Sequence, residues 1–151
     1  MIAHPYTKDY QSRALVLTTK CQVAEDYEPM VEEANPFTMP LNAIWDTGSQ
    51  RTVLSAKVAK QLGLISLGQV MMQHANGTTP AETYLVNLIL PNGMEIPHLY
   101  VMEGYIGDTD VLLGMDVITL GDLCITEPNG ETRLSFQTPS THKTDYRIEQ
   151  P

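Results

Sequence analysis

Leu41-Asn42-Ala43-Ile44-Trp45-Asp46-Thr47-Gly48-Ser49-Gln50-Arg51-Thr52-Val53-Leu54 is the stretch on which the reading of this chain turns. Leu41 to Trp45 is largely apolar and suits a strand, and Gly48 with its small polar neighbours stops that strand. A turn at a strand end presents its side chains, so Asp46 is offered to a partner or a substrate. Hydrolysis of a peptide bond by carboxylates needs two of them close together, where both cannot ionise: one holds a proton while the other activates water. Gly48 lets its N–H approach the Asp46 carboxylate with no Cβ in the way. Ser49 can donate a hydroxyl hydrogen bond to the same carboxylate and hold its orientation. The four residues are also ordinary turn formers, so the motif alone does not decide the function.

Working outward, residues 13–19 and then Cys21 and Val23 predict a strand. The stretch from Glu25 to Pro40, acidic and holding three prolines, predicts a long surface loop. Beyond the motif, Ser55 predicts a helix cap; Val58, Ala59 and Leu62 share one face, and Gly63 sits where a left-handed cap belongs. Gln69 to His74 and Glu82 to Leu90 read as strands joined by a polar tip, Ala75 to Thr79, with Asn76-Gly77 as its turn former. Pro91-Asn92-Gly93 makes a second turn into a strand from Met94 to Met102, which Pro97 marks as an edge or an interruption. Val111-Leu112-Leu113 is a short apolar run before a one-turn helix at Gly114 to Ile118. Leu123 to Thr126 and Thr132 to Phe136 flank a third hairpin turn. The expected architecture is all-β with one or two short helices. Its parts are an N-terminal segment at 1–12, one domain at 13–137 and a loose tail at 138–151.

Composition bounds the function. The 151 residues are 42% hydrophobic and 18% charged, which fits one folded domain rather than a disordered chain. A formal net charge of −9 disfavours nucleic acid, because phosphate binding depends on Lys and Arg displacing counterions. No apolar run is long enough for a membrane span and no leader pattern opens the chain, so the expectation is a soluble, cytoplasmic protein. Cys21 and Cys124 have no zinc or redox spacing and read as reduced structural thiols. The four histidines are scattered, so no metal and no other cofactor is expected. Ser49 and Ser55 lack the context of a serine nucleophile. Asp108 and Asp110 lack the glycine of a second carboxylate motif.

The motif, its apolar approach strand and the later Leu112-Leu113-Gly114 together resemble the retropepsins, the single-domain aspartic proteases of retroviruses and cells. The likeness runs from Arg13 to Phe136. The helix from Ser55 to Leu62 and the short helix after Gly114 place it nearer the cellular and bacterial members. The resemblance implies a closed, barrel-like β domain in which Leu112, Leu113 and Gly114 pack beneath the Asp46 loop. It implies a homodimer in which two copies of Asp46 meet and Thr47 bonds across the axis, acting on peptide or protein substrates. A flap hairpin would place Met72, His74, Ala75, Asn76 and Gly77 over the substrate, although Gly77 is the one glycine at its tip. Where viral members carry an acid and then an arginine, this chain has Arg51 and Asp116, which predicts a reversed pair. The alternative is a noncatalytic dimerisation or peptide-binding module on the same fold.

Overall fold

The computed structural model describes residues 2–26 and 38–148. Strand alternation sets the faces. In β2 (Thr18–Glu25) the side chains of Thr19, Cys21 and Val23 point inward, and in β3 (Thr38–Trp45) those of Leu41, Ala43 and Trp45 do the same. The two strands pair antiparallel, with Cys21 opposite Leu41.

The expected strand over 13–19 begins only at Thr18, and Leu15 and Val16 are exposed. β-propensity upstream of Thr18 finds no neighbouring strand to pair with, and propensity without a partner does not make a strand. The predicted loop from Glu25 to Pro40 is shorter at both ends, because β2 runs to Glu25 and β3 starts at Thr38. The rest of that loop, 27–37, lies outside the described residues.

After the Asp46 turn come β4 (Val53–Leu54) and α1 (Ala56–Gln61). Ser55 caps the helix by accepting from Val58 N at 3.3 Å, and Gly63 follows at φ +64°. Both ends are therefore as the sequence predicts, and the helix buries Val58 and Ala59. β5 (Gly68–His74) and β6 (Gly77–Ile89) form a hairpin, and β7 (Glu95–Glu103) returns along β6. β7 is interrupted rather than an edge. It lies between β4 and β6, its register against β6 shifts between Val86 and Leu88, and His98 next to Pro97 has φ +54°.

β8 (Val111–Leu113), α2 (Met115–Ile118), β9 (Asp122–Thr126) and β10 (Arg133–Thr138) complete the domain. The larger sheet has the order β2-β3-β8-β4-β7-β6-β5, and β2 also pairs with β6, so six strands close on themselves. This is the barrel-like, retropepsin-like all-β fold expected. A second sheet, β1-β10-β9, takes its outer strand β1 (His4–Asp9) from the N-terminal segment. Trp45 and Phe136, with ring centroids 4.9 Å apart, join the two sheets through one core that also holds Leu54, Val101, Val111 and Leu113.

Beyond β10, the Asp122 carboxylate accepts from the N–H groups of Thr141 and His142, at 2.8 and 2.9 Å, and from the Ser140 hydroxyl. These bonds, the Ser140 one foremost, hold its carboxyl well below the usual carboxylate range. Among the described residues no helix is long and apolar enough to cross a membrane.

Candidate active site

The Asp46 loop is held from below by a strand inserted between its two arms. β8 runs parallel to β3, with Ile44 opposite Leu112 and Trp45 opposite Leu113, and antiparallel to β4, with Val53 opposite Leu112. Asp46 N donates to Leu113 O at 2.9 Å, so the last rung of the β3–β8 ladder ends on the motif aspartate itself. Immediately beyond, Met115 N donates to Ser49 O at 2.7 Å and Asp116 N to Gln50 O at 3.2 Å. Gly114 makes this docking possible: a Cβ there would lie 2.6 Å from Arg51 O and 2.9 Å from Ser49 O. The glycine is required by close approach of backbone, since its φ of −87° suits any residue.

Within the loop, Gly48 N donates to Asp46 Oδ1 at 2.9 Å, and a Cβ on Gly48 would come within 3.2 Å of that oxygen. Ser49 N donates to Asp46 O at 3.2 Å and closes the turn. Asp46 and Ser49 are half-buried, whereas Thr47 and Gly48 are exposed. The arrangement leaves one motif carboxylate oriented by a backbone N–H at the open end of a rigid support, where it can accept a further proton or hydrogen bond.

Two side-chain expectations are corrected. The Ser49 hydroxyl donates to Arg51 O at 2.6 Å rather than to Asp46, because the tight turn brings that carbonyl within reach first. Asp116 does not pair with Arg51. Its carboxylate accepts from Thr52 N at 2.9 Å, from Thr52 Oγ1 at 2.8 Å and from Val117 N at 2.9 Å, while the Arg51 guanidinium stands over the Tyr100 ring, 5.7 Å from its centroid.

Thr52 is the supporting residue that the sequence reading missed. It is buried, donates its hydroxyl to Asp116 and accepts from Gly114 N at 3.3 Å, which ties α2 and β8 to the strand leaving the motif. A polar residue directly before the apolar pair Val53-Leu54 was the available hint.

The β5–β6 hairpin turns more tightly than expected, through Ala75 and Asn76, with His74 opposite Gly77 and Gly77 at φ +121°. Asn76 N donates to His74 Nδ1 at 3.2 Å, and residues 74–77 are all exposed. A cleft of about 740 Å³ lies between the hairpin and the motif, lined among others by Gly48, Ser49, Arg51, Met71, Met72 and Met102. Met72 lines this cleft beside the motif loop, whereas His74, Ala75, Asn76 and Gly77 are not among the residues that line it. Met72 also borders a second cleft of about 590 Å³ toward Ser55, Lys57 and Tyr105. Among the described residues no group of His, Cys, Asp and Glu side chains is placed to hold a metal ion.

The profile of the family described as "gag-polyprotein putative aspartyl protease" matches residues 38–119, from the start of β3 past the end of α2. No curated protein matches the chain. Among solved structures, a retropepsin-like aspartic protease from Rickettsia conorii is 14% identical, with a TM-score of 0.49 over 91% of this chain and 98% of that one. A foamy viral protease-reverse transcriptase is 18% identical, with a TM-score of 0.47 over 68% of this chain and 11% of that one. The retroviral protease-like domain of Ddi1 from Leishmania major is 17% identical, with a TM-score of 0.43 over 74% of this chain and 82% of that one.

Proposed function

The chain belongs to the gag-polyprotein aspartyl protease family, with a retropepsin-like fold, and from that premise we propose that it is an aspartic endopeptidase whose active site forms from two copies of Asp46 in a homodimer. The observation that carries this reading is the 2.9 Å hydrogen bond from Gly48 N–H to Asp46 Oδ1, on a loop braced by Leu112, Leu113 and Gly114. One chain holds one such loop, so a single copy supplies half of a carboxylate pair. An isologous dimer brings the same loop in twice, with the exposed Thr47 of each copy bonding across the axis.

In the proposed reaction one Asp46 carboxylate takes a proton from water as its oxygen attacks the peptide carbonyl carbon. The other, protonated, Asp46 donates to the carbonyl oxygen. The tetrahedral intermediate then collapses: the C–N bond breaks with its electron pair staying on nitrogen, which takes the carboxyl proton, while a hydroxyl of the intermediate gives its proton to the other carboxylate as the C=O bond re-forms. Acid and amine leave, and the pair again holds one proton. Nothing in these steps calls for a cofactor. The β5–β6 hairpin, with Met72 beneath and residues 74–77 at its tip, would close over an extended peptide. A cytoplasmic location belongs to the same proposal and agrees with Cys21 and Cys124 both being free thiols.

The test is incubation of the purified protein with a diverse peptide mixture from acidic to neutral pH, beside Asp46→Asn, with sedimentation of both across a dilution series. Asn keeps the size of Asp, so fold and assembly should persist while cleavage is lost. Specific activity of the wild type should fall as dimers separate. Cleavage by Asp46→Asn would remove Asp46 from the mechanism, and full activity in a demonstrated monomer would remove the dimer. Peptide retention without cleavage by the wild type would favour the noncatalytic binding module.

A further inference from the structure

The cleft beside the motif is chemically lopsided. Met71, Met72 and Met102 supply much of its apolar wall, and of the residues that line it Arg51 is the charged one. Methionine is unbranched and polarizable, so such a wall accepts apolar side chains of different shapes and discriminates poorly among them. The guanidinium is then the element able to distinguish one peptide from another.

Arg51 is free to act in this way. It is exposed, and among the described residues no carboxylate is paired with it. The nearby acid in the chain path, Asp116, is already occupied by Thr52 and by its own helix. The guanidinium rests over the Tyr100 ring, which holds it while leaving its N–H fork available. Arg51 also shares the cleft lining with Gly48, so whatever it binds lies next to the Asp46 loop.

Resting on the endopeptidase reading of the site, we propose that Arg51 is a specificity-determining residue: it selects peptides that carry an Asp or Glu side chain close to an apolar residue seated against Met71, Met72 and Met102. A carboxylate meeting a guanidinium can do so through two parallel hydrogen bonds, which fixes register as well as sign. The protein's net charge of −9 opposes acidic peptides at long range, but salt confines that repulsion to about 8 Å at physiological ionic strength, where the local contact decides.

The experiment uses the full chain with Asp46→Asn, so that binding is read without turnover. The immobilised protein is offered an equimolar random decapeptide mixture at 0.15 M salt, about physiological ionic strength, and retained peptides are sequenced. Asp and Glu should be enriched about two- to fivefold over Asn, Gln and Lys, the range expected of a partly exposed ion pair. Adding Arg51→Glu should reverse the preference toward Lys and Arg, and Arg51→Gln should flatten it. Arg51 is exposed, so both variants should fold, which thermal unfolding checks. An acidic preference that survives Arg51→Glu, equal retention of acidic and basic peptides, or no retention at all overturns the proposal. Absence of cleavage by the wild-type chain with the charge preference intact instead overturns the enzyme reading and leaves the Arg51 site standing.

Discussion

Gly114→Ala tests the support of the candidate active site directly. The added Cβ would lie 2.6 Å from Arg51 O, 2.7 Å from Arg51 C and 2.9 Å from Ser49 O, all of them backbone atoms that no rotamer change can move. Relief requires β8 and the motif loop to separate. That movement stretches the hydrogen bonds from Met115 N to Ser49 O and from Asp116 N to Gln50 O. Overpacking costs about 1–3 kcal/mol and each of the two weakened hydrogen bonds about 0.5–1.5 kcal/mol, which gives a loss of about 2–6 kcal/mol, with a middle value of about 3–4 kcal/mol because the bonds are stretched rather than lost. For a chain of this length that lowers Tm by about 10 °C.

Gly104→Ala is the internal control. Its Cβ would meet Val53 Cγ1 at 2.9 Å and Met72 Cε at 3.2 Å, which are side-chain ends able to yield, so a loss of about 1 kcal/mol and a Tm shift of about 3 °C are expected. Thermal unfolding followed by circular dichroism measures both, and peptide cleavage measures the consequence. Displacing the loop by about 1 Å should cost on the order of 100-fold in kcat/KM. A Gly114→Ala protein that melts within about 3 °C of the wild type, roughly the shift of a single kcal/mol, or no lower than Gly104→Ala, would refute the reasoning.

Thr52→Val keeps the shape but loses the hydroxyl that donates to Asp116 and accepts from Gly114 N, so chemical denaturation should show a loss of about 2 kcal/mol. Burial pushes the Cys21 thiol up to about 12, whereas Cys124 is exposed, so iodoacetamide should modify Cys124 promptly and Cys21 only after unfolding, as peptide mass mapping would show. Tyr84 is raised from 10.0 to about 12, first by burial and then by its hydrogen bond to Glu103. A phenol held neutral only in the folded chain stabilises fully below pH 10.0 and loses that contribution as pH rises toward 12, so Tyr84→Phe should flatten this part of the alkaline stability profile in urea titrations.

Local chemistry was legible in the chain. Ser55 and Gly63 marked both ends of α1, Pro91-Asn92-Gly93 marked its turn, and Asp46 to Ser49 marked a presented carboxylate, because caps and turns are satisfied by neighbours a few residues away. The apolar run Leu41 to Trp45 likewise read as a strand, whereas which of its residues face inward (Leu41, Ala43 and Trp45) came from the structure. Partners were another matter. That β1 would pair with β10, more than a hundred residues away, is not written in His4 to Asp9, whose burial only alternates between partial and exposed. That Ser49 would turn to Arg51 O, and Thr52 rather than Arg51 would hold Asp116, depended on where the insertion of β8 between β3 and β4 left each carbonyl and carboxylate. Periodicity records which side of a segment leaves water, whereas the identity of what it meets is settled only when distant strands compete for the same hydrogen-bonding edges and the same enclosed space.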